Sequence, residues 1–541
     1  MITPGLRGFV LEAPDGDDPA QDPLPAVLSA LAQAFVVSAE PGAPGTGTHR
    51  RIWLDTFDWR LYRAGLMLEF EQARRGGRLL LSKADGTPQA EQPVTRWPRR
   101  PGLAQDLPPG PVRDRIVVLT SPRALLPIVR AVGSVSVTRL LNDDGKTVAR
   151  LVADQLTVTA APPGITGGTT AELPLRLAIT EVRGYPGQAR KAASLLAGVP
   201  GVSHASQSEL IAALTTLGRH PADYSSGVET DITATMPGSV AVARLLLRLL
   251  DTVELNVDGV LRDIDTEFLH DFRVAVRRSR SAIKLLGEVL PAELAGHYAT
   301  EFKWLGDVTT PIRDLDVHLL GFDSMAAQLA AASPADLEPL RAFLVRRRAR
   351  EVRRLAAALR GPRFRAITDD WRKALLEIRD APGQASRRRR EPTAAELARR
   401  TTERTFRRIA AQGAAITPTS PPQSLHDLRK RAKELRYLLE FFAPLHDPVA
   451  YRKVVGDLKQ LQDCLGEYQD SEVQRAEIHA LADAMLAERA APAATLLAMG
   501  EIAANLSRSQ AEARADFVTR FARFGGPAGQ ERVRVLLEGR P

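Results

Sequence analysis

The sequence predicts a multidomain α+β protein, with an antiparallel β-barrel or tunnel in its N-terminal half and an all-α half built by duplication. Three observations predict it. Residues 1–220 carry short apolar and β-branched runs between Gly-, Pro- and Asp-rich turns, the pattern of antiparallel strands closing on themselves. Residues 239–525 carry apolar positions at helical spacing. Within them Leu269-His270-Asp271-Phe272-Arg273 returns 156 residues later as Leu425-His426-Asp427-Leu428-Arg429. A period of that length is too long for a solenoid unit and marks a duplicated subdomain.

In chain order, strands are predicted at Arg51–Leu54, Leu66–Phe70, Arg78–Leu81, Arg115–Leu119, Val135–Thr138, Thr147–Val152, Leu156–Thr159 and Leu175–Thr180. Turns fall at Asp85-Gly86, Asn142–Gly145 and Pro162–Gly164, and helices at Ala26–Phe35 and Gln188–Leu196. Residues 221–238 read as a linker and 526–541 as a C-terminal tail. The run Arg387–Arg390 beside Pro382-Gly383 reads as a solvated loop between the two copies.

The repeat continues without a gap. Arg277 falls on Lys433, Arg280 on Arg436, Lys303 on Lys459, Asp307 on Asp463 and Asp314 on Asp470. Phe272, Val276, Ser279, Ile283 and Leu286 step 4, 3, 4, 3, as do Leu428, Ala432, Leu435, Leu439 and Phe442, which is the seam of a packed helix. A basic stripe runs beside each seam: His270, Arg273, Arg277, Arg280 and Lys284 in one copy; His426, Arg429, Lys433 and Arg436 in the other, broken next by Glu440. Lying about 100° from the seam, the stripe borders a groove between helices rather than open water. One such stripe is as well explained by long side chains burying their stems. Its recurrence, with a histidine at its head, points to an anion contact. The recurrent Asp314 and Asp470 fit the role of orienting arginines, since charge-assisted pairs hold such side chains in place.

The pattern His-x-x-Arg, then basic turns, then a Lys-rich helix ending in Arg313-Asp314-Leu315-Asp316-Val317, resembles the CHAD family, the conserved-histidine α-helical domain, over roughly residues 235–525. The resemblance implies a pair of pseudo-symmetric four-helix bundles that bind inorganic polyphosphate through basic residues at their junction. It points to His270, Arg273, Arg277, Arg280, Lys284, His426, Arg429, Lys433 and Arg436, with Lys303 and Lys459 on the following helices. A middle helix bearing Arg346, Arg347, Arg350 and Arg353 would add a further wall. The physics agrees: lysine and arginine neutralising a polyanion release counterions, and arginine's planar fork suits phosphate oxygens.

Trp53–Asp58, Leu61, Gly65-Leu66, Leu81-Ser82-Lys83, Val152-Ala153-Asp154 and Glu181-Val182-Arg183 are together similar to the CYTH family of triphosphate tunnel enzymes. That resemblance implies a barrel in which glutamates hold a divalent metal and basic residues hold phosphates. The sequence departs from it in two places. Near the start, where the family has Glu-x-Glu-x-Lys, only Glu12 survives; and Glu69 and Glu71 stand where the family has arginines. Lys83, Arg96, Arg139 and Arg150 remain as tunnel bases, and Asp154 and Glu181 as candidate metal ligands. The reading is a degenerate, catalytically silent tunnel, without a cofactor unless an active tunnel took Mg²⁺ or Mn²⁺ through a rearranged site.

Composition bounds this only weakly. The net charge is +9, but basic residues outnumber acidic ones 24 to 20 in residues 1–220 and 49 to 44 beyond, so pattern carries the argument and net charge does not. A single cysteine, Cys464, excludes an internal disulfide. With no signal-peptide pattern, and Arg244 and Arg248 interrupting the longest apolar run, a cytoplasmic protein without a membrane partner is expected. The expected partner is inorganic polyphosphate, including its granules. Nucleic acid is disfavoured because Trp304 and Tyr437 are the only aromatics near the stripe. The competing class, a metal-dependent inorganic triphosphatase, needs ligands that the N-terminal half scarcely supplies.

Overall fold

The computed structural model describes residues 8–11, 24–40, 47–72, 76–95, 101–161, 169–380 and 391–538. Glu12, Arg96, Pro162–Gly164 and Arg387–Arg390 lie outside the described residues. The chain divides into two compact units at Ser225/Ser226. The segment read as a linker is therefore shared out: Tyr224 is buried in the first unit, and Gly238 already opens a helix of the second.

The first unit is an antiparallel sheet with strands β1 (Phe9–Leu11), β2 (Val36–Ala39), β3 (Gly47–Asp55), β4 (Leu66–Gln72), β5 (Gly77–Lys83), β6 (Pro88–Val94), β7 (Gly102–Leu103), β8 (Ala124–Leu141), β9 (Thr147–Ala160), β10 (Thr170–Glu172), β11 (Leu175–Glu181) and β12 (Val202–His204). The hydrogen-bonded path runs β12-β1-β11-β9-β8-β3-β4-β5-β6, with β2, β7 and β10 attached to the long pair β8 and β9. Its helices are α1 (Leu24–Ala32), α2 (Arg60–Arg63), α3 (Pro111–Thr120), α4 (Pro186–Ala197) and α5 (Glu209–Thr216).

Strand alternation gives the sheet two unlike faces. On one, Leu140, Ala149, Leu151, Leu177 and Ile179 pack with α1 and α4. Further along the same face Leu54, Leu68, Phe70, Leu79 and Leu81 pack with Leu61 of α2 and with Val112 and Ile116 of α3. The other face is charged. The run Arg115–Leu119, expected as a strand, belongs to α3 instead. Pro111 supplies a helix-ready first position, and Val112, Ile116 and Thr120 bury at four-residue spacing while Val118 and Leu119 stay exposed.

The second unit is helical: α6 (Gly238–Leu261), α7 (Thr266–Leu286), α8 (Ala292–Leu320), α9 (Phe322–Ala326), α10 (Glu338–Arg360), α11 (Pro362–Asp380), α12 (Ala394–Ala414), α13 (Pro422–Phe441), α14 (Pro448–Ala487), α15 (Ala493–Gly525) and α16 (Pro527–Glu538). The duplication is written in the helix starts. Helices α12, α13 and α14 each begin 156 residues after α6, α7 and α8. The first bundle joins α6, α7, α8 and α11, with the Trp371 and Tyr298 rings packed at a tilt, centroids 4.0 Å apart, and both buried. The second core unites Leu425, Leu428, Ala432, Leu435 and Leu439 of α13 with Leu458, Leu461 and Leu465 of α14 and Phe517 of α15. Val533 and Leu536 of α16 enter it too, so the segment expected as a tail is part of the bundle. All ten residues of the two predicted seams are buried.

A third core belongs to both copies. The end of α8 (Leu315) and α10 (Leu340, Phe343, Leu344) pack with the far half of α14 (Ile478, Leu481, Met485) and the start of α15 (Ala498, Met499, Ile502). Among the described residues no helix is long and apolar enough to cross a membrane.

Candidate functional site

The two copies meet about a pseudo-two-fold axis, visible in contacts that repeat with the copies exchanged. The Gly238 amide donates to the Pro392 carbonyl at 2.8 Å, and the Ala394 amide to the Met236 carbonyl at 2.7 Å. Arg278 of α7 pairs with Glu440 of α13 at 2.7 Å, and Lys284 of α7 pairs with Glu434 of α13 at 2.6 Å. Positions 278 and 434 are equivalent, as are 284 and 440, so one charge clasp is made twice. Copy one supplies both cations and copy two both carboxylates. Glu440 breaks the basic stripe because it is half of this clasp, and Lys284, expected on the anion, is held by the other half.

Arg277 and Lys433 are also equivalent positions, and they come close enough across the α7–α13 contact for each charge to bear on the other. Lys433 is half-buried; desolvation, Arg429 and Arg277 push its ammonium down to about 8, and Asp470 only partly offsets this. Arg273 is pushed down to about 10 by burial, against the attraction of Asp314, with Arg277 and Arg313 lowering it further. Burial disfavours the charge of Lys433 and Arg273 and neighbouring cations add to it, more than the nearby carboxylates offset. Arg273, Arg277, Arg313, Arg429 and Lys433 thus form one cluster along α7, α8 and α13. Nη1 of Arg313 and Nε of Arg429 are buried without a hydrogen-bond partner.

The geometry differs between the copies. Arg273 Nη1 donates to the hydroxyls of Thr309 (2.7 Å) and Thr310 (3.1 Å) and to the Gly306 carbonyl (3.1 Å), all neutral acceptors on α8. Arg429 Nη2 instead donates to the Asp470 carboxylate at 2.8 Å. His426 Nδ1 shares a hydrogen bond with Gln469 Oε1, and His270 heads the same stripe half-buried on α7. Arg280 lies against Gly306, where an added Cβ would come within 3.1 Å of its guanidinium, so the missing side chain seats it.

The remaining predicted residues are placed less centrally. Arg436 pairs with Glu440 at 2.8 Å, Lys303 with Asp307 at 2.7 Å on an exposed turn, and Lys459 is exposed on α14. On α10, Arg346 lies over the Phe343 ring, Arg350 stands 3.7 Å from Glu488, and Arg347 and Arg353 are exposed. On the same helix Arg348 is half-buried and held by Asp316 and Asp263 at 2.6 and 2.7 Å. Arg313 is the groove residue that sequence reasoning passed over. Its equivalent, Gln469, is neutral, so the repeat could not flag it, although it sits in the motif quoted for the family resemblance.

In the sheet unit the charged face centres on Arg51 of β3. Its guanidinium reaches Asp154 of β9 and Glu209 at the start of α5, with Glu69 of β4 at 3.6 Å. His49 stands 3.5 Å from Asp154, over Gly133, whose added Cβ would fall 2.3 Å from the imidazole ring. Glu71 pairs with Arg78 at 2.6 Å. Burial pushes Glu69 up to about 7 and Asp154 up to about 6, in both cases against the pull of Arg51.

Four of the tunnel expectations need revision. Glu181 pairs in register with Ala149, on the helix-packed face, so it cannot share a metal with Asp154 on the charged face. Lys83 alternates with Leu81 and Leu79 and projects from that same helix-packed face. Arg139 and Arg150 do lie on the charged face, but Arg139 donates to Ser38 and Arg150 to Glu40. Among the described residues no group of three His, Cys, Asp or Glu side chains could hold a metal ion. The carboxylates that could have gathered Mg²⁺ or Mn²⁺ already surround a guanidinium, so these residues do not fit a divalent cofactor. Neither Arg51 nor Glu209 carried a sequence signal, because their meeting depends on strand register and on where α5 docks.

A duplicated helical unit with an unbalanced cation groove, following an antiparallel sheet with one charged face, defines a two-domain α+β protein. Residues 244–479 match the family model described as CHAD domain. That match lies within the helical unit, and the unit before it is an antiparallel sheet. Solved structures similar to parts of the chain include the CHAD domain from the plant Ricinus communis, at 24% identity over 57% of this chain and 96% of that one, TM-score 0.43. A putative adenylate cyclase from Bacillus halodurans is similar at 13% identity over 38% of this chain and 95% of that one, TM-score 0.24. A putative adenylyl cyclase from Hippeastrum, described as having a dominant triphosphatase activity, is similar at 14% over 40% and 98%, TM-score 0.23. No match was found among curated proteins.

Proposed function

We propose that the helical unit binds inorganic polyphosphate along the groove of Arg273, Arg277, Arg313, Arg429 and Lys433, and that the sheet unit does not turn over triphosphate. The observation that carries this reading is the crowding of half-buried cations: burial first, and neighbouring cations after it, push Lys433 and Arg273 toward neutrality. A linear polyanion relieves that repulsion along its whole length and releases counterions as it does so. The groove needs no acid–base pair, so binding rather than chemistry is its task. Base stacking is disfavoured because Arg363 covers the Trp304 ring at 4.3 Å and Tyr437 is buried beneath Arg278. In the sheet unit Arg51 takes up the carboxylates that a metal-dependent triphosphatase would need. In a cell this reading describes a cytoplasmic protein that associates with polyphosphate and its granules.

One titration series tests it. The full chain is titrated with long-chain polyphosphate, tripolyphosphate, ATP and single-stranded DNA over a range of salt, and phosphate release from tripolyphosphate is followed with Mg²⁺ or Mn²⁺. Expected are tightest binding to long-chain polyphosphate without added metal, a shallower salt slope in R273A/R429A, and no release. Unchanged affinity in that double variant would sink the groove. Metal-dependent release abolished by E69Q would overturn the silent tunnel.

A further inference from the structure

The two halves of the groove share ancestry but not chemistry. Thr309 and Thr310, which hold Arg273 through neutral hydroxyls, are replaced in the second copy by Leu465 and Gly466. Without those acceptors Arg429 turns to Asp470. Arg313, a cation beside Arg273, is replaced by Gln469, whose amide oxygen is bonded to His426. The first copy therefore presents Arg273 hydrogen-bonded to neutral groups, with Asp314 attracting it from nearby and Arg277 and Arg313 beside it. The second presents Arg429 already neutralised.

We propose that the groove is asymmetric: polyphosphate seats first on the Arg273–Arg277–Arg313 half, and Asp470 is a resident counter-ion that phosphate must displace from Arg429 before the second half engages. This rests on the reading of the groove as a polyphosphate site. Asp470 suits the role because its side chain is 59% exposed, so the displaced carboxylate can turn into water. The corresponding Asp314 is less exposed on α8, and burial together with the nearby Glu477 pushes its carboxyl up, which weakens it as a rival to phosphate for Arg273. Asp470 thereby becomes a chain-length discriminator. A short polyphosphate is satisfied by the first half alone, whereas a long chain runs on and must open the Arg429–Asp470 pair.

The test is titration of the full chain with tripolyphosphate and with long-chain polyphosphate. R273Q should weaken both by about tenfold, the scale of a hydrogen bond to a charged group. R429Q should weaken the long chain and leave tripolyphosphate unchanged. D470N should tighten the long chain by about threefold, the scale of an exposed ion pair, and that gain should vanish in R429Q/D470N. D463N makes the same charge change on α14 away from the pair and should show no gain. Folding is checked for each variant by thermal unfolding, and D470N, at an exposed position, keeps the test open if R273Q fails to fold. Equal losses in R273Q and R429Q for both ligands, or no gain in D470N, would overturn the asymmetry while leaving polyphosphate binding intact. A native chain that binds neither ligand would remove the polyphosphate reading, and the asymmetry with it.

Discussion

Lys433 sits where burial, Arg429 and Arg277 all disfavour its charge, and its ammonium is pushed down to about 8. The sign of the pH effect follows. Below 8 the free groove keeps this charge; above it the proton leaves unless a bound polyanion holds it. Binding then takes up a proton, so affinity should fall as pH rises from 7 to 9, on the order of tenfold, the scale of one charge-assisted hydrogen bond to phosphate. Arginines stay charged across that window, so K433R should bind with a flat profile. The measurement is polyphosphate affinity at pH 7 and 9 in both proteins, and equal slopes would place Lys433 away from the bound chain. Apart from Arg313, the charges of this site were legible in the sequence because the repeat printed them twice. Their partners were not. A cation's worth depends on whether it faces a carboxylate, as Arg429 and Lys284 do, or hydroxyls, as Arg273 does, and those neighbours lie on other helices.

At the level of helices, the clasp between α7 and α13 makes a checkable energetic claim. Arg278 and Glu440 are both mostly buried and meet at 2.7 Å. R278E should cost about 2 kcal/mol of helical-unit stability, between the values for exposed and buried pairs. R278E/E440R should recover most of it, read from denaturant midpoints of the four proteins; a double variant no better than the sum of its parts would remove the clasp from the energetics. The elements themselves were mostly legible. Helical seams and helix starts follow from periodicity, and Asp265 capping the amides of Glu267 and Phe268 starts α7 where the chain's chemistry says it should. Copy two starts α13 at the equivalent point by another device, with Pro422 at its first position. Residues 115–119 were misread because β-branched apolar runs fit either element, and only the docking of Val112 and Ile116 under the sheet decided for a helix. The face of Glu181 was illegible for a related reason: alternation is visible along one strand, but which face it shares with Asp154 is fixed by pairing.

For the whole molecule, two units with separate cores should answer to different variables. In the sheet unit Glu69 and Asp154 are pushed up from 4.5 and 3.8 to about 7 and about 6. Raised carboxyls bind protons more tightly folded than unfolded. Their contribution is full below about pH 4 and lost as pH rises through 6 to 7. On the proposed reading the helical unit responds to ligand instead: polyphosphate at a hundred times its Kd would stabilise it by about 2.7 kcal/mol. Scanning calorimetry of the full chain should resolve two transitions. Raising pH from 5 to 8 should lower the sheet transition, less so in E69Q, while polyphosphate should raise only the helical one. A ligand shift shared by both transitions would count against two independently responding units.

The core shared by α8, α10, α14 and α15 has a consequence for how the chain is made. Leu340, Phe343 and Leu344 leave the ribosome well before Ile478, Met499 and Ile502, the residues that cover them. At about 5–20 residues per second, that apolar surface waits on the order of ten seconds for its cover. The first bundle can close in the meantime, since its helices are nearly consecutive, but its outer flank cannot. A nascent chain stalled in that interval presents an exposed sticky ridge, and this is where a chaperone, or a neighbouring nascent copy, would find it.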